Sequence, residues 1–200
     1  MTINRAVLAP LITLLFSLPV QAKEVPLDTL SAYLNGLVTV EADFSQVNAD
    51  GSKSIGKIYI QRPGRARFEY AAPDKNLVLV AGGQVVIFDS KSNQPPEQYP
   101  LGRTPLNLVL GAGIDLQTAR MVVGHREEKG VTVVTAQDPK HPDYGTIDLM
   151  FSENPVALTG WVITDDVGNQ TAVTLGPLVV GQKYEASLFS TDIELIKRRH

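Results

Sequence analysis

The 200-residue chain contains no cysteine. That excludes a disulfide framework, a thiolate nucleophile, a cysteine-held metal and a lipid carried on a cysteine. Histidine is scarce, with three in all. His125, His141 and His200 lack the spacing of metal ligands and sit in or beside polar, turn-like stretches, so they read as solvated. The sequence holds no G-x-S-x-G elbow, no H-E-x-x-H, no Walker loop and no G-x-G-x-x-G. Gly111-Ala112-Gly113 is too short to cradle a phosphate. Glu127-Glu128 and Asp165-Asp166 fall at turns, and adjacent residues of a strand point to opposite faces, which argues against catalytic pairs. No enzymatic activity, cofactor or metal centre is therefore expected. The formal net charge of −3 disfavours a nucleic-acid partner.

A long apolar run occurs only at the start. Arg5 precedes a mostly apolar stretch over residues 6–20, broken by Pro10 and Pro19, and Val20-Gln21-Ala22 fits a small-x-small cleavage pattern. The run is short for a membrane span. Residues 1–22 read as a secretory signal peptide cleaved after Ala22, leaving residues 23–200 as one domain. An exported, soluble, periplasmic protein that is not itself a lipoprotein is the expectation.

Leu27, Leu30, Leu34 and Leu37 have helical spacing, with Pro26 near the first turn and Asp28 favourable to the helix dipole. From Val40 the pattern turns to strands: 41–48, then a hairpin over 56–70, then 77–81 and 85–88 joined by Gly82-Gly83. Residues 91–100, with three prolines, read as a loop. Thr104-Pro105 predicts a short apolar helix with Thr104 as its cap, carrying Leu106, Leu108, Val109 and Leu110. Strands are expected again at 131–135, 147–151, 158–165 and 171–175, a charged turn at 127–130, and a last strand over 187–196. Roughly nine to eleven consecutive strands must curl or close. The fold class is α+β, mainly β: a strongly curved antiparallel sheet with helices on its concave side.

The hairpin GKIYIQRPGRARFEY (56–70) is the most telling stretch. Ile58, Ile60 and Arg62 share one face of its first strand. Ala66, Phe68 and Tyr70 form an apolar face of the second, and Arg65, Arg67 and Glu69 a charged one. A cation on an apolar face needs acceptors or water. Arg62 is thus either an edge residue whose stem covers apolar surface or a working part of a site.

Several pieces in order carry a family resemblance. They are Ala42-Asp43-Phe44-Ser45-Gln46, Gly56, Arg62-Pro63 with an aromatic six residues on, Tyr70 with Pro73, LVLVAGGQVVIFD and Thr104-Pro105-Leu106. Together they resemble the periplasmic outer-membrane lipoprotein carrier family, LolA. The resemblance implies an unclosed β-barrel with a helical lid and a non-enzymatic monomer that ferries the acyl chains of lipoproteins from the inner to the outer membrane. It implies an inner-membrane lipoprotein-releasing ABC transporter as donor and an outer-membrane lipoprotein receptor as acceptor. It also implies that Arg62 bonds lid carbonyls in the empty state. Candidate ligand-facing residues are Ile58, Ile60, Phe68, Val78, Val80, Leu106, Leu108, Val109 and Leu110. Ala66 departs from the bulky residue often found at its position, which implies a wider mouth or weaker ligand retention. The alternative readings are a regulatory sensor of the same fold and a carrier of another apolar ligand such as a glycolipid.

Overall fold

The computed structural model describes residues 23–104 and 106–198; the expected signal peptide and His200 lie outside the described residues. Twelve antiparallel strands form one sheet. In chain order they are β1 (Thr39–Val47), β2 (Lys53–Gln61), β3 (Arg65–Tyr70), β4 (Leu77–Ala81), β5 (Gln84–Phe88), β6 (Glu97–Pro100), β7 (Val122–Glu128), β8 (Val131–Ala136), β9 (Thr146–Glu153), β10 (Val156–Thr164), β11 (Gln170–Leu175) and β12 (Val179–Val180). Their spatial order is β6-β5-β4-β3-β2-β1-β11-β10-β9-β8-β7, with β12 beside β1. The end strands β6 and β7 do not pair with each other, so the sheet curls without closing. Among the described residues three α-helices accompany it: α1 (Leu27–Gly36), α2 (Asn107–Leu110) and α3 (Thr191–Lys197).

β1 organises the sheet. It pairs with β2 along its whole length, from Thr39 opposite Gln61 to Val47 opposite Lys53. Its other edge is divided between β11, at Phe44 to Val47, and β12, at Val40 and Glu41. Alternation sends Val40, Ala42 and Phe44 inward, where they are buried. Gly56 faces Phe44 across the pair. A Cβ at Gly56 would stand 2.6 Å from the Phe44 ring and 2.3 Å from the Glu69 carbonyl oxygen. Only glycine lets that ring lie over the strand.

The concave side holds the main core, which joins Leu30 and Leu34 of α1 to inward residues of the strands. Tyr33 of α1 sets its ring edge-on to Phe151 and accepts the Leu158 N–H at 3.0 Å. Ahead of α1, the Val25 N–H donates to Thr132 Oγ1 at 2.8 Å and the Val25 carbonyl accepts from His125 Nε2 at 2.9 Å. His125 is therefore a half-buried anchor for the chain leading into α1, not a solvated side chain.

Several sequence expectations need correction. Residues 97–100 form edge strand β6, opposite β5; proline is tolerated there because an edge N–H has no ladder partner to lose. Residues 122–128 are one strand, so the charged turn shrinks to Lys129-Gly130. Thr104 does not cap α2. Its hydroxyl donates back to the Leu101 carbonyl at 2.9 Å, and Leu106 occupies the cap position.

The largest departure is at the C-terminus, where residues 191–197 are helix α3 rather than strand. Ser190 Oγ accepts the Ile193 N–H, Asp192 and Glu194 lie in the first turn, and Lys197 lies in the last. Capping and dipole complementarity thus favour a helix here. With the 3-10 turn Ala186–Phe189, α3 covers the convex side of β3 to β5. There Leu77, Leu79, Val86 and Phe88 make a second small core, touched by Leu195. The charged face of β3 is consequently covered at Arg67, while Arg65 stays exposed. Arg67 is buried, pairs with Glu69 at 2.6 Å and Glu194 at 3.3 Å, and donates to the Leu188 carbonyl at 3.1 Å.

Burial alone would raise the pKa of Glu194, but hydrogen bonds and attraction from Lys197 and Arg67 outweigh it and hold the carboxyl below its usual value. A depressed acid contributes stability above its unfolded pKa of about 4.3, and that contribution is lost as pH falls through the folded value. Glu194→Gln should cost about 1–3 kcal/mol at neutral pH. Urea unfolding of the two proteins should show this gap narrowing on acidification to about pH 3.5. A gap that stays constant would remove the ion pair from the account.

Candidate functional site

Arg62 stands just past the end of β2, at the tip of the β2–β3 hairpin. It continues the inward face of Ile58 and Ile60. Its guanidinium reaches across the concave side and joins two helices to the hairpin. Nε and Nη2 donate to the Gly111 carbonyl at 3.2 and 2.7 Å, at the end of α2. Nη1 donates to the Leu34 carbonyl in the last turn of α1, and Nη2 to Asn35 Oδ1 at 3.1 Å. The backbone adds two more ties. The Arg62 N–H donates to the Val38 carbonyl and the Gly64 N–H to the Leu110 carbonyl, both at 2.8 Å. Gly64 has φ +68°, a left-handed turn conformation that suits glycine.

The electrostatics here are unusual. Every side-chain acceptor of Arg62 is a neutral oxygen, and no carboxylate is among them. Desolvation lowers its pKa, with no opposing charge to offset the shift. A guanidinium suits this task, because its planar fork offers five donors to carbonyls that arrive from different directions.

Asn35 extends the connection. Its Nδ2 donates to the Ile114 carbonyl at 2.8 Å, and its Oδ1 accepts the Ile114 N–H at 3.0 Å. One turn earlier, Ser31 Oγ accepts the Leu116 N–H at 2.9 Å. The chain that follows α2 is thereby stitched along α1.

Beneath these bonds lies an enclosed hollow with purely apolar walls apart from Arg62. Its volume is only about 30 Å³, room for a water or two. Leu34 and Leu37 line it from α1, Ile58, Ile60, Ala66 and Phe68 from the hairpin, and Leu106, Val109 and Leu110 from the α2 segment. The far wall is Ile147, Leu149, Leu158 and Trp161. A second, more open hollow of about 250 Å³ adjoins it and shares Phe68, Leu106, Ile147 and Trp161. Val78 and Ile87 line this second space.

Most of the residues singled out from the sequence converge here, with two exceptions. Val80 and Leu108 are buried in the main core and line neither hollow. Val80 lies beyond Val78 on the inward face of β4, fully enclosed. In α2, Leu106, Val109 and Leu110 reach the hollow while Leu108 packs away from it. Ala66 is fully buried and lines the hollow. Sequence reasoning missed Asn35, Trp161 and the β9 residues Ile147 and Leu149. The alternation Ile147, Leu149, Phe151 was a usable signal for an inward face. Asn35 carries none, because its partner lies 79 positions away.

A family model described as "Outer membrane lipoprotein carrier protein LolA" matches residues 35–192. The chain belongs to the LolA family. Two relatives bear the name outer-membrane lipoprotein carrier protein. The one from Methylococcus capsulatus is 27% identical, over 84% of this chain and 84% of its own. That from Chromohalobacter salexigens is 28% identical, over 90% and 89%. A solved LolA superfamily structure from Nitrosomonas europaea overlays with a TM-score of 0.46 at 9% identity, covering 84% of this chain and 99% of that one. The match begins at the end of α1 and covers the hairpin and α2, so Asn35, Arg62 and Gly111 lie inside it and Leu34 just outside.

If the guanidinium bonds hold the helices down, Arg62→Leu should leave the sheet intact by circular dichroism. Amide exchange of the Gly64 N–H and of the last turn of α2 should then rise on the order of tenfold or more, since bonds to a charged group contribute about 1.5–3 kcal/mol each. Unchanged exchange at those amides would show that packing alone holds the helices.

Proposed function

We propose that this protein is a non-enzymatic carrier that takes up the acyl chains of lipid-modified proteins, shields them in transit and gives them up to an acceptor. One observation carries the reading: an apolar hollow on the concave side is shut by a cation held only by neutral carbonyl and amide oxygens. The names of the relatives agree with it and favour it over the sensor and glycolipid readings.

The physical need is large. Each methylene removed from water contributes about 0.8 kcal/mol, so a multiply acylated anchor crosses an aqueous compartment only when shielded. The carrier must also let go. In the empty state Arg62 acts as a latch, drawing α1 and α2 onto the sheet and collapsing the hollow. Acyl chains compete with that closed state for the same volume. The affinity of the carrier is thus reduced by whatever free energy the latch contributes, and reclosure helps to expel the cargo. Bonds to carbonyls suit a reversible latch, because breaking them strands no second buried charge. Ile58, Ile60, Phe68, Val109 and Leu110 form the acyl-binding wall of the closed hollow, and Val78 that of the open one. The working compartment is the periplasm, the donor an inner-membrane lipoprotein-releasing ABC transporter and the acceptor an outer-membrane lipoprotein receptor. The carrier works as a monomer.

The test is a transfer assay with a fluorescent tri-acylated peptide. The native protein should bind it and release it to acceptor vesicles. Arg62→Leu should bind at least as tightly and release about tenfold more slowly, because the competing closed state has lost its bonds. Failure of the native protein to bind any acylated peptide would refute the carrier reading, and unchanged release by the variant would refute the latch.

A further inference from the structure

Resting on the carrier reading, the two hollows raise a question of route. The closed one has a volume of about 30 Å³, far too little for an alkyl chain, while its neighbour offers about 250 Å³. We propose that the open hollow is the port through which an acyl tail enters, and that the tail releases the Arg62 latch from inside by displacing Leu106.

Three observations converge on this. First, the open hollow has the amphiphilic edge that a lipid tail with a polar head requires. Its depths are Phe68, Val85 and Val173, all buried. Its rim carries Gln46 and Tyr70, whose hydroxyl donates to Gln46 Oε1 at 2.8 Å, together with Ile163, which is 44% exposed. Beyond Gln46 and Tyr70 the surface continues into a polar groove of about 540 Å³ containing Asp74, Asn76 and Lys91. A head group or the peptide attached to it can stay hydrated there while the tail goes inward.

Second, the wall between the two hollows has fixed parts and a movable part. Phe68 and Trp161 project from strands paired on both sides, are buried, and meet edge-on at 6.1 Å between ring centres. Ile147 is likewise on an interior strand. Leu106 is different. It is half-buried and belongs to no strand. A tail advancing from the open hollow meets three side chains fixed in the sheet and one that can give.

Third, Leu106 is wired to the latch. Its carbonyl accepts the N–H groups of Val109 at 3.0 Å and Leu110 at 2.9 Å, so moving Leu106 moves α2. α2 ends at Gly111, whose carbonyl receives two of the guanidinium bonds, and the Leu110 carbonyl receives the Gly64 N–H. Displacement at one end of this short segment therefore draws the acceptors away from Arg62 and Gly64 at the other.

The experiment uses cis-parinaric acid, a fluorescent alkyl carboxylate, with stopped-flow mixing and amide exchange. Ile87→Trp and Ile163→Trp each fill the port. Ile163 is already exposed, so that variant keeps the test valid if Ile87→Trp misfolds. Both are expected to slow association about tenfold while the Arg62 bonds remain untouched. Adding the acid to the native protein should speed exchange of the Gly64 N–H, and Leu106→Ala should bind the acid yet show little of that acceleration. Native-like association by both tryptophan variants would overturn the port and place entry at the Arg62 end. Full acceleration at Gly64 in Leu106→Ala would overturn the wedge. If the native protein binds no acid at all, the carrier reading falls first.

Discussion

A guanidinium bonded to carbonyls, rather than to carboxylates, is the constraint around which this molecule is arranged. Arg62 is brought to the concave side by a hairpin tip, and its acceptors are contributed by the ends of two helices far apart in the chain. Such an arrangement is strong enough to define a closed state. On the proposed carrier reading an uncharged competitor can undo it, because no ion pair has to be broken inside an apolar site. The sheet around it is built for permanence, with β1 paired along both edges and Phe44 laid over Gly56. The proposed carrier reading places reversibility in the helices and rigidity in the strands.

The small size of the closed hollow follows from the same division. An unclosed sheet of this curvature leaves an apolar interior exposed unless something fills it. Here the filling is done by Leu34 of α1, Leu37 just after it, and Leu106, Val109 and Leu110 from the α2 segment. These side chains occupy space that an alkyl chain would take. Burial of the leucines and burial of the cargo are alternatives of similar physical character, which keeps the exchange between them close to balance. The C-terminal helix serves a separate need. It buries the convex faces of β4 and β5 under Leu195 and leaves the concave side free.

Much of this was legible in the sequence where the signal is local. Alternation along β2 and β3 placed Ile58, Ile60 and Phe68 inward, and a cation continuing that face marked Arg62. What acts on Arg62 was not legible from the residues alone. Its acceptors are backbone carbonyls, which every residue has, and they lie 28 and 49 positions away. The difference between lining a cavity and packing a core was equally hidden, since both require the same side chains. Val78 and Val80 share a face yet only Val78 meets free space, and Leu108 packs away from the hollow that its helical neighbours line. The C-terminal helix was read as a strand, although Ser190 followed by Asp192 and Glu194 offers a cap and a favourable first turn. The burial of Arg67 depends on that helix and was therefore missed with it.

The central claim is that α2 sits down on the sheet when the hollow is empty and lifts when it is filled. The chain has no native cysteine, so spin labels can be placed at will. Asn107 on α2 and Ser45 on the outside of β1 are both exposed. The distance between labels at these two positions, measured by pulsed electron resonance, is the most direct test. A single short distance in the empty protein, shifting to a longer one on loading with an acylated peptide and already partly longer in empty Arg62→Leu, is the predicted result. One unchanged distance in all three samples would contradict the account.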